Sequence, residues 1–358
     1  MKIAVIGGSG FIGKHFIEEF GAQFDEVRCL LRKPSKELGT KIIQIKGSLN
    51  NKIAIEYLTK NIDVILHAGF DPLYQENLSG IYNVLEAISA NKVSKLIYLS
   101  SYVVYDCVSH PILSELSPYS HVKDIYTVEK QKIEAILQEY AQQNTDVSII
   151  TLQPTIVYGL GGNWTTTFIK ANKHHTIKLP NEGTTPCPLI YVKDVTKAMS
   201  DCIFVELNTV KNNYEKILLS SSEDVSWRNV YEIHGDFIKK IGKKSYTYSY
   251  EEAYLGDFGG TFVKNKLIQV LFSKSIGASF NSLLKAIKRW IYKRESLNEV
   301  LDLPVFVYPF EIVGLYKYLH KSNAMVDTGK AKEVLNFKPR FRFEDGVDDM
   351  VKNYIKPN

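Results

Sequence analysis

Cysteine is scarce in this chain: four among 358 residues, Cys29, Cys107, Cys187 and Cys202, with no C-x-x-C pair. That spacing indicates neither a disulfide scaffold nor a zinc knuckle, and a reducing, cytoplasmic setting is the expectation. No apolar run approaches the roughly 18 residues needed to cross a bilayer, so no membrane span is expected, although contact with a membrane surface stays open. The opening Met1-Lys2-Ile3-Ala4-Val5-Ile6 lacks the apolar core and small-residue cleavage site of a signal peptide. Internal repeats are missing, and so is a strong charge of either sign. The 44 Lys and Arg against 39 Asp and Glu leave +5, too mild to point to nucleic acid and equally suited to an anionic small ligand. With 45% hydrophobic and 23% charged residues, disorder, collagen and coiled coil are excluded.

What is present is alternation. Strand-like runs occur at Lys2–Ile6, Val27–Leu31, Ile42–Ile45, Val64–His67, Leu96–Ser100 and Val147–Leu152. Between them, apolar positions recur at three and four over Phe11–Phe20, Glu76–Ala90 and Tyr126–Ala141. Strand, helix, strand in repetition predicts an α/β fold, a doubly wound parallel sheet covered on both faces. One more strand is expected at Lys216–Ser220, helices at Val195–Val205 and Asn229–Ile241, and a capped closing helix from Phe343. Residues 1–165, completed by 190–242, read as the core. Residues 166–189 and 243–358, with an insertion at about 245–325, read as a smaller, mostly helical substrate lobe.

Gly7-Gly8-Ser9-Gly10-Phe11-Ile12-Gly13 follows the first strand and opens the first helix. The spacing suits a tight turn at Gly7, a bare backbone at Gly10 and close helix packing at Gly13, with the helix N-terminus facing a pyrophosphate. In this strand-turn-helix context it predicts dinucleotide binding. The second strand ends in Leu30-Leu31-Arg32-Lys33, where two cations suit a 2′-phosphate, whereas an NAD-selective site usually offers a carboxylate to the ribose hydroxyls. NADP is therefore preferred and NAD remains open; a solvated basic loop is the plainer account of Arg32 and Lys33.

Tyr-x-x-x-Lys sets a phenol and an ammonium one helical turn apart, and the cation lowers the phenol's pKa from its ordinary value near 10. The pattern occurs at Tyr119/Lys123 and Tyr126/Lys130. Tyr119 follows Pro118 in what reads as loop, whereas Tyr126 opens an apolar-periodic helix, so Tyr126 is the better acid/base. The fifth strand ends in Ser100-Ser101, where a doubly wound sheet has its crevice. Taken singly, the serines could cap a strand and Tyr126 could be a core tyrosine; downstream of a phosphate loop they read together as a proton-transfer site.

With these residues in hand, the sequence resembles the extended short-chain dehydrogenase/reductase family, the nucleotide-sugar epimerase, dehydratase and reductase group built on a Rossmann core. The likeness covers residues 1 to about 225 and returns at Asp327 to Tyr354. It rests on the glycine loop, Asp63-Val64-Ile65-Leu66-His67-Ala68, Asn77 with Gly80 and Asn83, and Leu99-Ser100-Ser101 with Val104-Tyr105. Tyr126-x-x-x-Lys130 with Glu134, Pro154-Thr155-Ile156-Val157-Tyr158-Gly159 and Ile190-Tyr191-Val192-Lys193-Asp194-Val195 complete it. The resemblance implies Ser101 as donor to the substrate oxygen, Tyr126 as proton shuttle, and Lys130 on the nicotinamide ribose. It implies Ala68 and Gly69 beside the cofactor's ribose and phosphates, Pro154 and Ile156 beside the nicotinamide, and Ser48-Leu49 near the adenine. Family members are often dimers through a helical bundle, so a homodimer is expected, and the helix at 126–141 could serve in it.

Departures from the family pattern bear on the reaction and the substrate. Tyr102 and Val103 stand where 4,6-dehydratases place an acidic pair, which disfavours dehydration. Ser48 replaces the usual adenine-reading Asp, and Gln153 the Arg before the proline. Thr184-Thr185-Pro186-Cys187-Pro188-Leu189 lacks the arginine that nucleotide-sugar members aim at the diphosphate. The 245–325 insertion followed by Lys330-Ala331 and Leu335-Asn336-Phe337-Lys338-Pro339 is similar to 3β-hydroxysteroid dehydrogenase-like relatives. The expectation is an NAD(P)-dependent reductase or C4 epimerase of a nucleotide sugar. Its alternatives are a dehydrogenase of a lipophilic alcohol and, further off, a non-catalytic NADP-sensing protein. The basic amphipathic stretch 283–294 reads as a solvated lobe helix or a membrane-surface contact. His174-His175 reads as a surface loop, with no third metal ligand in view.

Overall fold

The computed structural model describes residues 1–39, 41–71, 76–206, 213–221, 223–247, 249–253, 295–311 and 315–355. The basic stretch 283–294 and most of the insertion lie outside them. In chain order the first elements are β1 (Lys2–Ile6), α1 (Phe11–Phe20), β2 (Glu26–Leu31), β3 (Ile43–Lys46), α2 (Lys52–Thr59), β4 (Val64–His67), α3 (Asn77–Asn91) and β5 (Lys95–Leu99). Then come β6 (Ile112–Leu113), α4 (Ile125–Gln143), β7 (Ser148–Pro154), β8 (Ile156–Tyr158), α5 (Asn163–Ala171), β9 (Thr176–Leu179), β10 (Leu189–Tyr191), α6 (Val192–Phe204) and β11 (Tyr214–Leu219). The later ones are α7 (Trp227–Lys240), β12 (Ser249–Glu252), α8 (Leu297–Leu301), β13 (Phe310–Glu311), α9 (Leu315–Leu319), β14 (Met325–Val326), α10 (Gly329–Leu335) and α11 (Phe343–Ile355).

Seven of these strands form one sheet in the order β11-β7-β5-β4-β1-β2-β3, parallel at every pairing. The order reverses between β1 and β4, which opens a crevice at the carboxyl ends of those strands. Alternate residues of the same strands feed two cores. Ile3, Val5, Leu66, Ile97, Ile150 and Leu219 pack on one face with residues of α1 and α6, and Ala4, Ile6, Ile65, Leu96 and Ile149 on the other with α2, α3 and α4. Burial on both faces explains why these strands read as continuous β-branched runs. Toward the far edge the second face turns polar: Ile6, His67, Tyr98, Thr151 and Lys216 stand in one transverse row of the register.

The chain divides into two compact units, 1–165 with 186–225 and 323–358, and 166–185 with 226–322. The division differs from the sequence-based boundaries at 186–189, which joins the first unit, and more extensively at two other places. Helix α7 belongs to the second unit, and the closing segment returns to the first, because Ala331, Leu335 and Phe337 lie in the sheet's α1/α6-side core and Gly346 sits so close to Tyr158 that no side chain would fit between them.

The second unit has helices and also a three-stranded parallel sheet, β12-β9-β13, which the expectation of a mostly helical lobe did not include. The surface loop expected at His174 is corrected too: that imidazole is buried, stacked on Phe306 at 4.7 Å and edge-on to Tyr308 and Phe310. Its Nδ1 lies 2.9 Å from the Tyr308 carbonyl. Among the described residues no helix is long and apolar enough to cross a membrane.

Candidate active site

The glycine loop turns where a side chain has no room. Gly7 has φ +89°, and a Cβ there would lie 2.5 Å from the Gly69 nitrogen and 2.8 Å from Ala68. A Cβ on Gly13 would collide with the Gly7 carbonyl. The loop is closed by the Gly10 N–H on the Gly7 carbonyl at 2.9 Å, and the Lys14 N–H takes the Gly10 carbonyl at 2.8 Å. Helix α1 then starts without a side-chain cap and without an acid in its first turn. The N–H groups of Phe11 and Ile12 therefore face the loop with the positive end of the helix dipole, an arrangement that suits an anion. A groove of about 710 Å³ runs along the outer face of this helix, lined by Ser9, Phe11, His15, Gly161 and Lys193 among others.

The remaining loop residues gather at the carboxyl ends of neighbouring strands. Ala68 and Gly69 follow β4 and abut Gly7. Arg32 and Lys33 are exposed directly after β2. Ser48 and Leu49 follow β3; Leu49 is buried against Gly80, and its carbonyl accepts from Asn83 at 2.8 Å. Pro154 ends β7, and Ile156, buried in β8, donates its N–H to the Pro188 carbonyl at 3.1 Å.

Ser101 follows β5 and starts a tight 3-10 turn over Tyr102–Val104. Helix α4 packs against that turn, and Gln131 fixes the docking by donating to the carbonyls of Val104 at 2.8 Å and Ser120 at 3.0 Å. Tyr126 and Lys130 lie one turn apart on this helix, which is capped by Asp124 on the Thr127 N–H. The Tyr126 ring meets Phe70 edge-on at 5.0 Å, one residue beyond Gly69. Lys130 is buried, with Nζ donating to the Leu99 carbonyl at 2.7 Å and the Tyr98 hydroxyl at 3.0 Å. Burial pulls its ammonium down to about 8, against the opposing pull of Glu129 and Glu134. Tyr119 is in a loop, as expected, and donates to Glu134 at 2.9 Å.

Two buried carboxyls support this helix, and sequence reasoning gave neither a role. Glu129 accepts from Asn77 at 3.0 Å, while Asn77 also bonds the Asp71 N–H at 2.7 Å and carbonyl at 2.9 Å. Glu134 accepts from Ser100, from Gln153 at 2.9 Å and from Tyr119, and Gln153 in turn accepts from Tyr105 at 2.9 Å. Burial raises the pKa of both acids. The signal for Glu134 was its spacing: Tyr126, Lys130 and Glu134 step by four along one helix face. Tyr98 carried no signal beyond a strand's alternation.

Residues 3–203 match the model of the NAD dependent epimerase/dehydratase family. A 2-alkyl-3-oxoalkanoate reductase of Stenotrophomonas maltophilia is 26% identical over 175 residues, 45% of this chain and 52% of that protein. A UDP-glucose 4-epimerase of Erwinia amylovora is 27% identical over 176 residues, 43% and 52% of the two chains. A decarboxylating sterol-4-alpha-carboxylate 3-dehydrogenase of Candida albicans is 29% identical over 181 residues, 45% and 51%. The chain thus spans about half the length of the curated relatives it matches. Its fold is like that of UDP-glucose 4-epimerase from Bifidobacterium longum, solved with NAD+ and UDP, at a TM-score of 0.68 and 17% identity, covering 100% of this chain and 99% of that one. By the family model, which spans more than half of its residues, this chain belongs to the NAD dependent epimerase/dehydratase family.

Proposed function

We propose that this chain is an NAD(P)-dependent oxidoreductase or C4 epimerase acting at one carbinol or keto carbon of a nucleotide sugar. The reading is supported by α4, which carries Tyr126 and Lys130 and brings Lys130 Nζ to the Leu99 carbonyl at 2.7 Å, two residues before Ser101, and by the uncapped start of α1. The loop fits a dinucleotide: its first N–H groups are unopposed by acid, and Gly10 leaves the approach bare, since a Cβ there would meet only the Gly7 carbonyl, at 3.1 Å. Gly7, Gly10, Phe11, Ile12 and Gly13 would hold the pyrophosphate, Ser48 and Leu49 the adenine, Ala68 and Gly69 the ribose and phosphates. Pro154 and Ile156 would flank the nicotinamide. Arg32 and Lys33 favour NADP through its 2′-phosphate.

A bound nicotinamide supplies or takes up the hydride. The chain's own groups handle the proton. Ser101 Oγ donates to the substrate oxygen, and Tyr126 gives that oxygen its proton in reduction or removes it in oxidation. Lys130, with Nζ 5.8 Å from the centre of the Tyr126 ring, stabilises the phenolate that reduction leaves and that oxidation starts from. Tyr102 and Val103 bring no acid for a second proton, so the chemistry stays at one carbon. Tyr126→Phe is expected to lose at least 100-fold in kcat while NADPH still raises the protein's Tm. Full activity in that variant would end the mechanism.

A second substrate class is favoured by one observation. The 184–189 run offers no cation, and Cys187 within it is buried with its N–H on the Val225 carbonyl at 2.7 Å. The names of two relatives, a sterol carboxylate dehydrogenase and an alkyl oxoalkanoate reductase, fit a lipophilic alcohol or ketone. Thermal melts of NADPH-saturated protein with nucleoside diphosphates separate the two. A ligand at 100 times its Kd adds about 2.7 kcal/mol. A shift with one nucleotide supports the sugar class, and no shift together with hydroxysteroid-dependent NADPH formation supports the lipophilic one.

A further inference from the structure

Lys130 is held by a residue outside the Ser-Tyr-Lys set. An ammonium has three N–H bonds, and here two of them end on adjacent residues of β5: the Leu99 carbonyl at 2.7 Å and the Tyr98 hydroxyl at 3.0 Å. With two directions fixed by one strand, tetrahedral geometry fixes the third. The nitrogen also lies 4.6 Å from the centre of the Tyr98 ring, 5.4 Å from that of Phe70 and 5.8 Å from that of Tyr126. Tyr98 is itself immobilised: it is 2% exposed, sits mid-sheet between β4 and β7, and meets His67 edge-on at 5.3 Å.

We propose that Tyr98 is a positioning residue for Lys130, its hydroxyl orienting the buried ammonium toward Tyr126 and keeping it charged, and thereby setting the pH range over which Tyr126 exchanges its proton. The proposal rests on the reading that Tyr126 and Lys130 carry out proton transfer. Its physics is the hydrogen-bonding of a buried cation. A desolvated ammonium is penalised unless acceptors face it, and among the described residues its hydrogen-bond acceptors are the Leu99 carbonyl and one side chain, Tyr98. Among the described residues, the other ionisable groups facing Lys130 are Glu129, Glu134 and Tyr126 on its own helix and His67 on β4. The two carboxyls favour the ammonium, and mutual repulsion with the Lys130 charge helps keep His67 neutral.

Tyr98→Phe removes one oxygen and keeps the ring, so the packing against His67 survives. The decisive measurement is NMR titration of the Lys130 ε-carbon in protein labelled with ¹³C-lysine, assigned by the signal missing from Lys130→Met. The Lys130 midpoint is expected to fall by at least half a unit in Tyr98→Phe, about a threefold loss of proton affinity. The alkaline limb of kcat against pH is expected to move the same way, with KM unchanged. A midpoint that stays in place overturns the proposal, including when Tyr98→Phe lowers Tm, since that is all a merely structural phenol would do. The titration needs no substrate, so a protein without turnover would defeat the enzymatic reading while the Tyr98–Lys130 link is still decided.

Discussion

Arg32 and Lys33 are exposed, and under the proposed function each acts only when a phosphate arrives. A charge-assisted hydrogen bond to phosphate contributes about 1.5–3 kcal/mol. Arg32→Ala with Lys33→Ala is therefore expected to weaken NADPH binding by roughly tenfold or more and to leave NADH binding within twofold, measured by fluorescence titration. Equal losses for both nucleotides would assign the pair to general charge. Glu134 is the opposite case, a carboxyl with no solvent and three donors from three segments. Its hydrogen bonds hold Ser100, and so the strand end from which Ser101 projects.

At the scale of an element, α4 carries most of the candidate site, and Asn77 at the start of α3 joins Gln131 in tying it down. The Asn77 amide makes three hydrogen bonds, two to the backbone of Asp71 and one to Glu129. Asn77→Ala would leave the buried Glu129 without its amide donor, and a loss of about 2 kcal/mol is expected in urea unfolding, with the NADPH-induced Tm shift retained. No change in stability would mean that water replaces the amide.

Much of this element was legible in the sequence, because a helix face repeats at three and four and α4 starts within a residue of the expected position. The acid-amide tie was not. It joins positions 52 apart in sequence, and nothing local to Asn77 or Glu129 announces a partner so far away. Helix α2 was missed for a different reason: Lys52–Thr59 is eight residues long, too short for its periodicity to stand out from chance.

At the scale of the molecule, the seven-stranded sheet was readable, since its central strands are apolar on both faces and its strands are followed by their own turn signals. The sheet of the second unit was not, because its strands of two to four residues come from 176–179, 249–252 and 310–311 and are half exposed. Both units hold neutral histidines that predict a common response to acid. Burial pushes His67 and His320 down to about 3 and His234 to about 4. A histidine depressed in the folded state contributes stability that is full above its ordinary value near 6.5. That stability is lost as pH falls through the window down to the depressed value, by about 1.4 kcal/mol per pH unit for each group. The buried acids respond in the opposite sense, so the comparison must be between variants. His234→Gln is expected to flatten the fall of unfolding free energy between pH 6.5 and 5 relative to the parent chain. Parallel curves would show that His234 is not buried neutral.

The return of the closing segment to the first unit also bears on how the chain is made. Ala331, Leu335 and Phe337 fill a core whose other residues are all present by Leu219. At about 5–20 residues per second, the ribosome needs some seconds to reach them, and through that interval the nascent sheet shows water an unfinished apolar face. Such a face invites a chaperone, or a neighbouring chain on the same message, before α10 and Phe337 arrive to cover it.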